Sequence, residues 1–92
     1  MPPRLRGMTA EDLGAFEEVD GLLVADFETT DFNQGVKFVV AIGEAADKAD
    51  HHPDVLLAYN SVTVTLKSHD VDAITSRDHR MARTITELHS AL

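Results

Sequence analysis

Three consecutive residues, His51-His52-Pro53, are where this chain could do chemistry. Imidazoles titrate near neutrality, so an adjacent pair can give and take protons at working pH. Pro53 cannot continue a helix and restricts His52 to extended backbone, which holds the pair at a fixed corner. Asp47 and Asp50 lie a turn or less before His51, close enough to orient an imidazole and favour its charged form. His69, in Ser68-His69-Asp70, follows a hydrophobic run. If a hairpin returns the chain, His69 comes back beside the pair, and three imidazoles share one cleft with nearby carboxylates.

Each residue also has a structural reading. Histidines at a helix end can simply meet the last carbonyls and the negative end of the dipole. Asp78 stands three residues after Thr75, the spacing of a capping box. His79 and His89 read as members of a solvated helix face. A metal centre is a poor match, because neighbouring side chains diverge and zinc sites on helices use ligands one turn apart. The chain shows no nucleophile elbow, Gly-rich phosphate loop or dinucleotide fingerprint. Acid–base work by imidazoles, with no metal, is what remains.

The elements that must position these residues follow from spacing. Thr9-Ala10-Glu11-Asp12 predicts a short N-terminal helix, with Leu13 and Phe16 on its apolar side and Asp20-Gly21 as the turn after it. Leu22 to Thr29 predicts a strand with Leu23, Ala25 and Phe27 on one face. Thr30 or Asp31 caps a long helix running to about Asp50, its buried stripe read as Phe32, Val36, Val39, Val40, Gly43 and Ala46. Val55 to Tyr59 and Val62 to Leu66 make a hairpin about an Asn60-Ser61 turn. Thr75 opens the last helix, with Met81, Ile85, Leu88 and Leu92 inward and Arg77, Arg80 and Arg83 mostly outward. The expectation is α+β: an antiparallel sheet of three to four strands, covered on one face by two long helices and the short N-terminal one.

Ninety-two residues suit one domain, with residues 1–8 a loose extension and Met8 an alternative start. A core this small favours self-association. The formal charge of −8 argues against nucleic acid or an anionic membrane surface as partner. The absence of cysteine excludes disulfides and thiolate chemistry, and no apolar leader follows the N-terminal arginines, so a cytoplasmic protein is expected.

Asp47, His51, His52, Pro53, Tyr59, His69 and Asp78, in that order and spacing, resemble the signature of the pterin-4a-carbinolamine dehydratases. Asp31-Phe32-Asn33, Thr65-Leu66 and Ser76-Arg77-Asp78 also look familial, and the likeness extends from Phe27 to the C-terminus. The chain departs from the family at Val55, where a larger residue is usual, and at Ala73-Ile74, where glycines are common. The segment before Phe27 is also short, so that of the family's four strands only three are evident.

The resemblance implies loss of water from 4a-hydroxytetrahydropterin, giving quinonoid dihydropterin, as in tetrahydropterin recycling. It implies His51 and His69 as proton donors, one for each face of the ring, with His52 positioning substrate and sharing protons. Asp47, Asp50, Pro53 and Asp78 would orient imidazoles or border the substrate. The partners implied are a small-molecule pterin and further copies of the chain, as a homodimer or homotetramer. A different reading comes with the same fold: a noncatalytic binding or assembly module, since relatives include a transcription-factor dimerisation partner and Rubisco assembly chaperones.

Overall fold

The computed structural model of the protein describes residues 13–92. Four antiparallel strands, β1 (Glu17–Val19), β2 (Leu22–Glu28), β3 (Asp54–Ala58) and β4 (Ser61–Leu66), form one sheet in the order β1-β2-β4-β3. Two helices, α1 (Phe32–Ala49) and α2 (Ser76–Ser90), pack against it. Leu23, Ala25 and Phe27 from β2 meet Val62, Val64 and Leu66 from β4 on the buried face, under Phe38, Ile42, Met81 and Ile85 from the helices. Phe27 anchors this core edge-to-face, with ring centroids 5.7 Å from Phe16 and 5.1 Å from Phe38. Among the described residues, no helix is long and apolar enough to cross a membrane.

The expected N-terminal helix begins outside the described residues, and its later part is turn and strand. Thr9–Asp12 lies outside the described residues; Leu13–Ala15 is a turn, and Glu17 and Glu18 are strand, not the end of a helix. Asp20 and Gly21 both have positive φ (52° and 81°), as a tight hairpin turn whose twist matches its strands requires. The Asp-Gly signal therefore joins β1 to β2, and the fourth strand survives as three residues. Gly14 (φ 61°) allows the preceding turn to sit against α2: a Cβ there would lie 2.5 Å from Thr86 Oγ1.

Asp31 caps α1 by accepting from the Gln34 N–H at 2.8 Å. The face α1 buries is Gly35, Phe38, Ile42 and Ala46. Of the stripe expected from sequence, Ala46 is buried and Val39 packs against the core, while Phe32, Val36, Val40 and Gly43 face outward. Two apolar stripes overlap on this helix, and the larger side chains Phe38 and Ile42 win the sheet. Gly35 lets the helix come close, since a Cβ there would stand 2.7 Å from Leu57 Cδ1. The β3–β4 loop is Tyr59-Asn60, one residue earlier than expected, with Ala58 opposite Ser61. That register pairs Val55 with Val64 and Leu57 with Val62 on the core side; a one-residue slip would turn β3 inside out. In α2, Met81, Ala82 and Ile85 are buried and Leu88 packs on the core, but Leu92 lies beyond the helix and is exposed.

Candidate active site at the helix–strand corner

The corner is built by the end of α1. Asp50 adopts the left-handed conformation (φ 52°), its N–H donates to the Asp47 carbonyl at 3.2 Å, and the His51 N–H donates to the Ala46 carbonyl at 3.1 Å. This pair of bonds is the Schellman stop, which satisfies carbonyls left free at a helix C-terminus. It also turns the chain so that His51 enters the protein while His52 leaves it. His51 is 8% exposed; the His52 side chain is 58% exposed.

His51 is held by Asp78, not by the carboxylates that precede it. His51 Nε2 lies 2.6 Å from Asp78 Oδ1. Asp78 Oδ2 accepts from the Ser68 hydroxyl at 2.8 Å and from the Thr75 N–H at 2.9 Å. Ser68 and Thr75 hydroxyls are themselves 2.7 Å apart. The capping-box reading of Asp78 and its reading as a site residue therefore both hold: one oxygen caps α2 and the other carries an imidazole. Asp78 is fully buried. Burial works to raise its pKa, but hydrogen bonds from His51, the Thr75 amide and Ser68, with the attraction of His51, outweigh it and hold the carboxyl below its usual 3.8. Asp78 thus stays ionised at neutral pH and accepts from Nε2–H, which leaves Nδ1 as the His51 nitrogen free for a ligand.

His51 lines a cavity of about 320 Å³ between the helices, at the small end of the ~300–1,000 Å³ typical of ligand pockets. Ala45 and Ala49 contribute from α1; Met81 and Thr84, with the guanidinium-bearing Arg77 and Arg80, contribute from α2. Neither His52 nor His69 is among its walls. His52 Nε2 pairs with Asp47 Oδ1 at 3.0 Å on the surface just outside. His69 is exposed in the loop that follows β4, where Ser68 and Ala73 bridge through 2.9 and 3.3 Å backbone bonds. Pro53 is partly buried just before β3, and Asp50 is exposed. No group of three or more His, Cys, Asp or Glu side chains among the described residues is arranged to hold a metal ion.

Ser68, which the motif does not single out, joins the site because it continues the inward alternation of Val62, Val64 and Leu66, a signal present in the sequence. Arg77, read as outward, is half-buried, lines the cavity and is gripped by both Asp70 oxygens at 2.8 and 3.2 Å. His89 is no solvated bystander: its ring lies 4.9 Å from Phe27 and 5.4 Å from Phe38, and its Nε2 is 2.8 Å from the Glu28 carbonyl.

Residues 7–88 match the family model described as pterin 4 alpha carbinolamine dehydratase. A Koribacter versatilis protein whose name places it in this family is 43% identical over 63 residues, covering 68% of this chain and 67% of its own. One from Herpetosiphon aurantiacus, named likewise, is 35% identical over 81 residues, covering 88% of this chain and 84% of its own. Among solved structures, a transcriptional coactivator/pterin dehydratase from Brucella melitensis superposes with a TM-score of 0.83 at 30% identity, covering 95% of this chain and 99% of its own. A pterin dehydratase-like protein identified as a RuBisCO assembly factor in the alpha-carboxysome superposes with a TM-score of 0.67 over 80% of this chain and 86% of its own; at 16% identity it shares the fold alone. The chain belongs to the pterin 4 alpha carbinolamine dehydratase family.

Proposed function

We propose that the protein dehydrates a 4a-hydroxytetrahydropterin to the quinonoid dihydropterin, with His51 as the principal proton donor. Family membership supports the reaction class, and one observation carries the assignment: an imidazole backed at 2.6 Å by a buried, ionised carboxylate and lining a ligand-sized cavity. Hydroxide is a poor leaving group. As the C4a–O bond breaks, its electron pair goes to the oxygen, which takes a proton from Nδ1 of the His51 imidazolium and departs as water. The lone pair of the adjacent ring nitrogen forms the new C=N bond, and that nitrogen's proton passes to a second base. Asp78 stabilises the positive imidazolium and fixes its ring, and help of this kind is worth about 10²–10⁴-fold.

His52, tied to Asp47 just outside the cavity, and His69, exposed in the loop after β4, are proposed to meet the part of the substrate that extends beyond the cavity walls, His52 positioning it and sharing protons and His69 donating to the opposite ring face. Asp50 and Pro53 border the ring at the corner. The dehydration of chemically generated 4a-hydroxytetrahydropterin tests these roles: wild type accelerates it, His51→Ala loses most of the effect, and His69→Ala loses the part that depends on the second face. Wild type that gives no acceleration removes the reading, and leaves the noncatalytic module in its place.

The same reading includes self-association as a dimer or tetramer. Phe32, Val36 and Val40 recur every fourth residue on the outer side of α1, and Leu56 and Tyr59 are exposed on edge strand β3 and its turn. Light scattering that finds a monomer overturns that part.

A further inference from the structure

The space beside His51 does not end with one cavity. A second, of about 510 Å³, shares Ala45, Ala49 and Thr84 as walls, so a groove runs between α1 and α2 from His51 toward Ala41 and Leu88. Its charge is unlike that of the rest of the chain. The protein has eight Lys and Arg against sixteen Asp and Glu. Yet Arg77 and Arg80 line the first cavity, no carboxylate does, and Lys48 lines the second with Glu44. Arg77 is already engaged by Asp70. The Arg80 guanidinium has no hydrogen-bond or ion-pair partner among the described residues.

An unengaged guanidinium sharing a cavity with the proposed acid is a ready recognition group for an anion, because its planar fork matches a carboxylate or a phosphate. A neutral side chain would make no use of it. We infer that the groove selects pterins bearing an anionic side chain, with Arg80 holding the terminal phosphate or carboxylate while the ring faces His51. This deepens the dehydratase reading and rests on it. Arg80 is here a specificity-determining residue, and the alanine-floored groove gives the side chain its path.

The test is equilibrium fluorescence titration of wild type, Arg80→Ala, Arg80→Lys and Arg80→Glu with three dihydropterins. One carries a 6-methyl group, one a side chain ending in a phosphate monoester, and one a side chain ending in a carboxylate. Wild type is expected to bind the anionic compounds about tenfold tighter than the methyl compound, as one charge-assisted contact implies. The preference disappears in Arg80→Ala, is partly kept in Arg80→Lys, inverts in Arg80→Glu, and shrinks with added salt. The larger of the two anionic advantages identifies phosphate or carboxylate as the natural group. Equal affinities in wild type, or a preference that survives Arg80→Glu, overturn the inference. If wild type dehydrates the 4a-hydroxytetrahydro forms of all three equally well, the anion subsite alone fails; if it neither binds any of the three nor dehydrates any of those 4a-hydroxy forms, the dehydratase reading fails with it.

Discussion

Replacing Asp78 should be among the most damaging single changes in this protein. The carboxylate accepts from three groups: the His51 ring, the Ser68 hydroxyl and the Thr75 amide. Asp78→Ala removes the half of the capping box that Asp78 supplies, while Thr75 stays as the N-cap. It also strands the buried His51 Nε2–H and the Thr75 N–H, each at about 1–3 kcal/mol, while Ser68 keeps Thr75 as a partner. Against this stands the desolvation cost of the buried carboxylate, which the variant no longer bears. The net expectation is a loss of about 2–4 kcal/mol, a large share of the ~5–15 kcal/mol a domain has. Urea unfolding followed by far-UV circular dichroism, at one fixed protein concentration, measures it. Asp78→Asn keeps the size and one acceptor and should cost less, about 1–2 kcal/mol. A double-mutant cycle of Asp78→Ala with Ser68→Ala should show coupling of about 0.5–3 kcal/mol, since the two share a bond. An Asp78→Ala protein within about 0.5 kcal/mol of wild type would refute the reasoning, because surface substitutions do no more than that.

The pH dependence follows in sign. Because the folded-state pKa of Asp78 is depressed, its contribution is complete above the unfolded value and is lost as pH falls through the folded one. The stability gap between wild type and Asp78→Ala should therefore be widest above the unfolded-state pKa and narrow below about pH 4, and a gap that widens in acid would contradict it. Asp50→Gly should leave the fold intact and raise stability by up to about 1 kcal/mol in thermal melts, since glycine carries no penalty at that left-handed position, whereas Asp50→Val should lower it by about 1–2 kcal/mol. Phe38→Ala, at the centre of the core, should cost about 3–5 kcal/mol by urea titration.

Much of this architecture was legible because periodicity and special residues agreed. The alternation of Val62, Val64 and Leu66, the Thr75–Asp78 box, and the proline after the histidine pair each fixed an element or its end. The failures have physical causes. Glu17-Glu18 reads as the acidic lead-in to the Asp20-Gly21 turn, and at three residues β1 is too short to show an alternation that would mark it as a strand. Helix α1 carries two apolar stripes, and periodicity alone cannot say which one meets the sheet; the close approach at Gly35 was the available clue. In the site, nearness along the chain suggested Asp47 and Asp50 as partners of His51, but the left-handed turn at Asp50 swings the ring inward to a carboxylate 27 residues away. Asp47 takes His52 instead.

The proposed dehydration depends most on His51 delivering a proton to a departing hydroxyl group. Its most direct test is the single-turnover rate at which a chemically generated 4a-hydroxytetrahydropterin loses water, compared between wild type and a His51→Ala variant shown by circular dichroism to be folded. That step predicts acceleration by wild type and a fall of about 10²-fold or more in the variant. A folded His51→Ala protein that dehydrates the substrate as fast as wild type would contradict it.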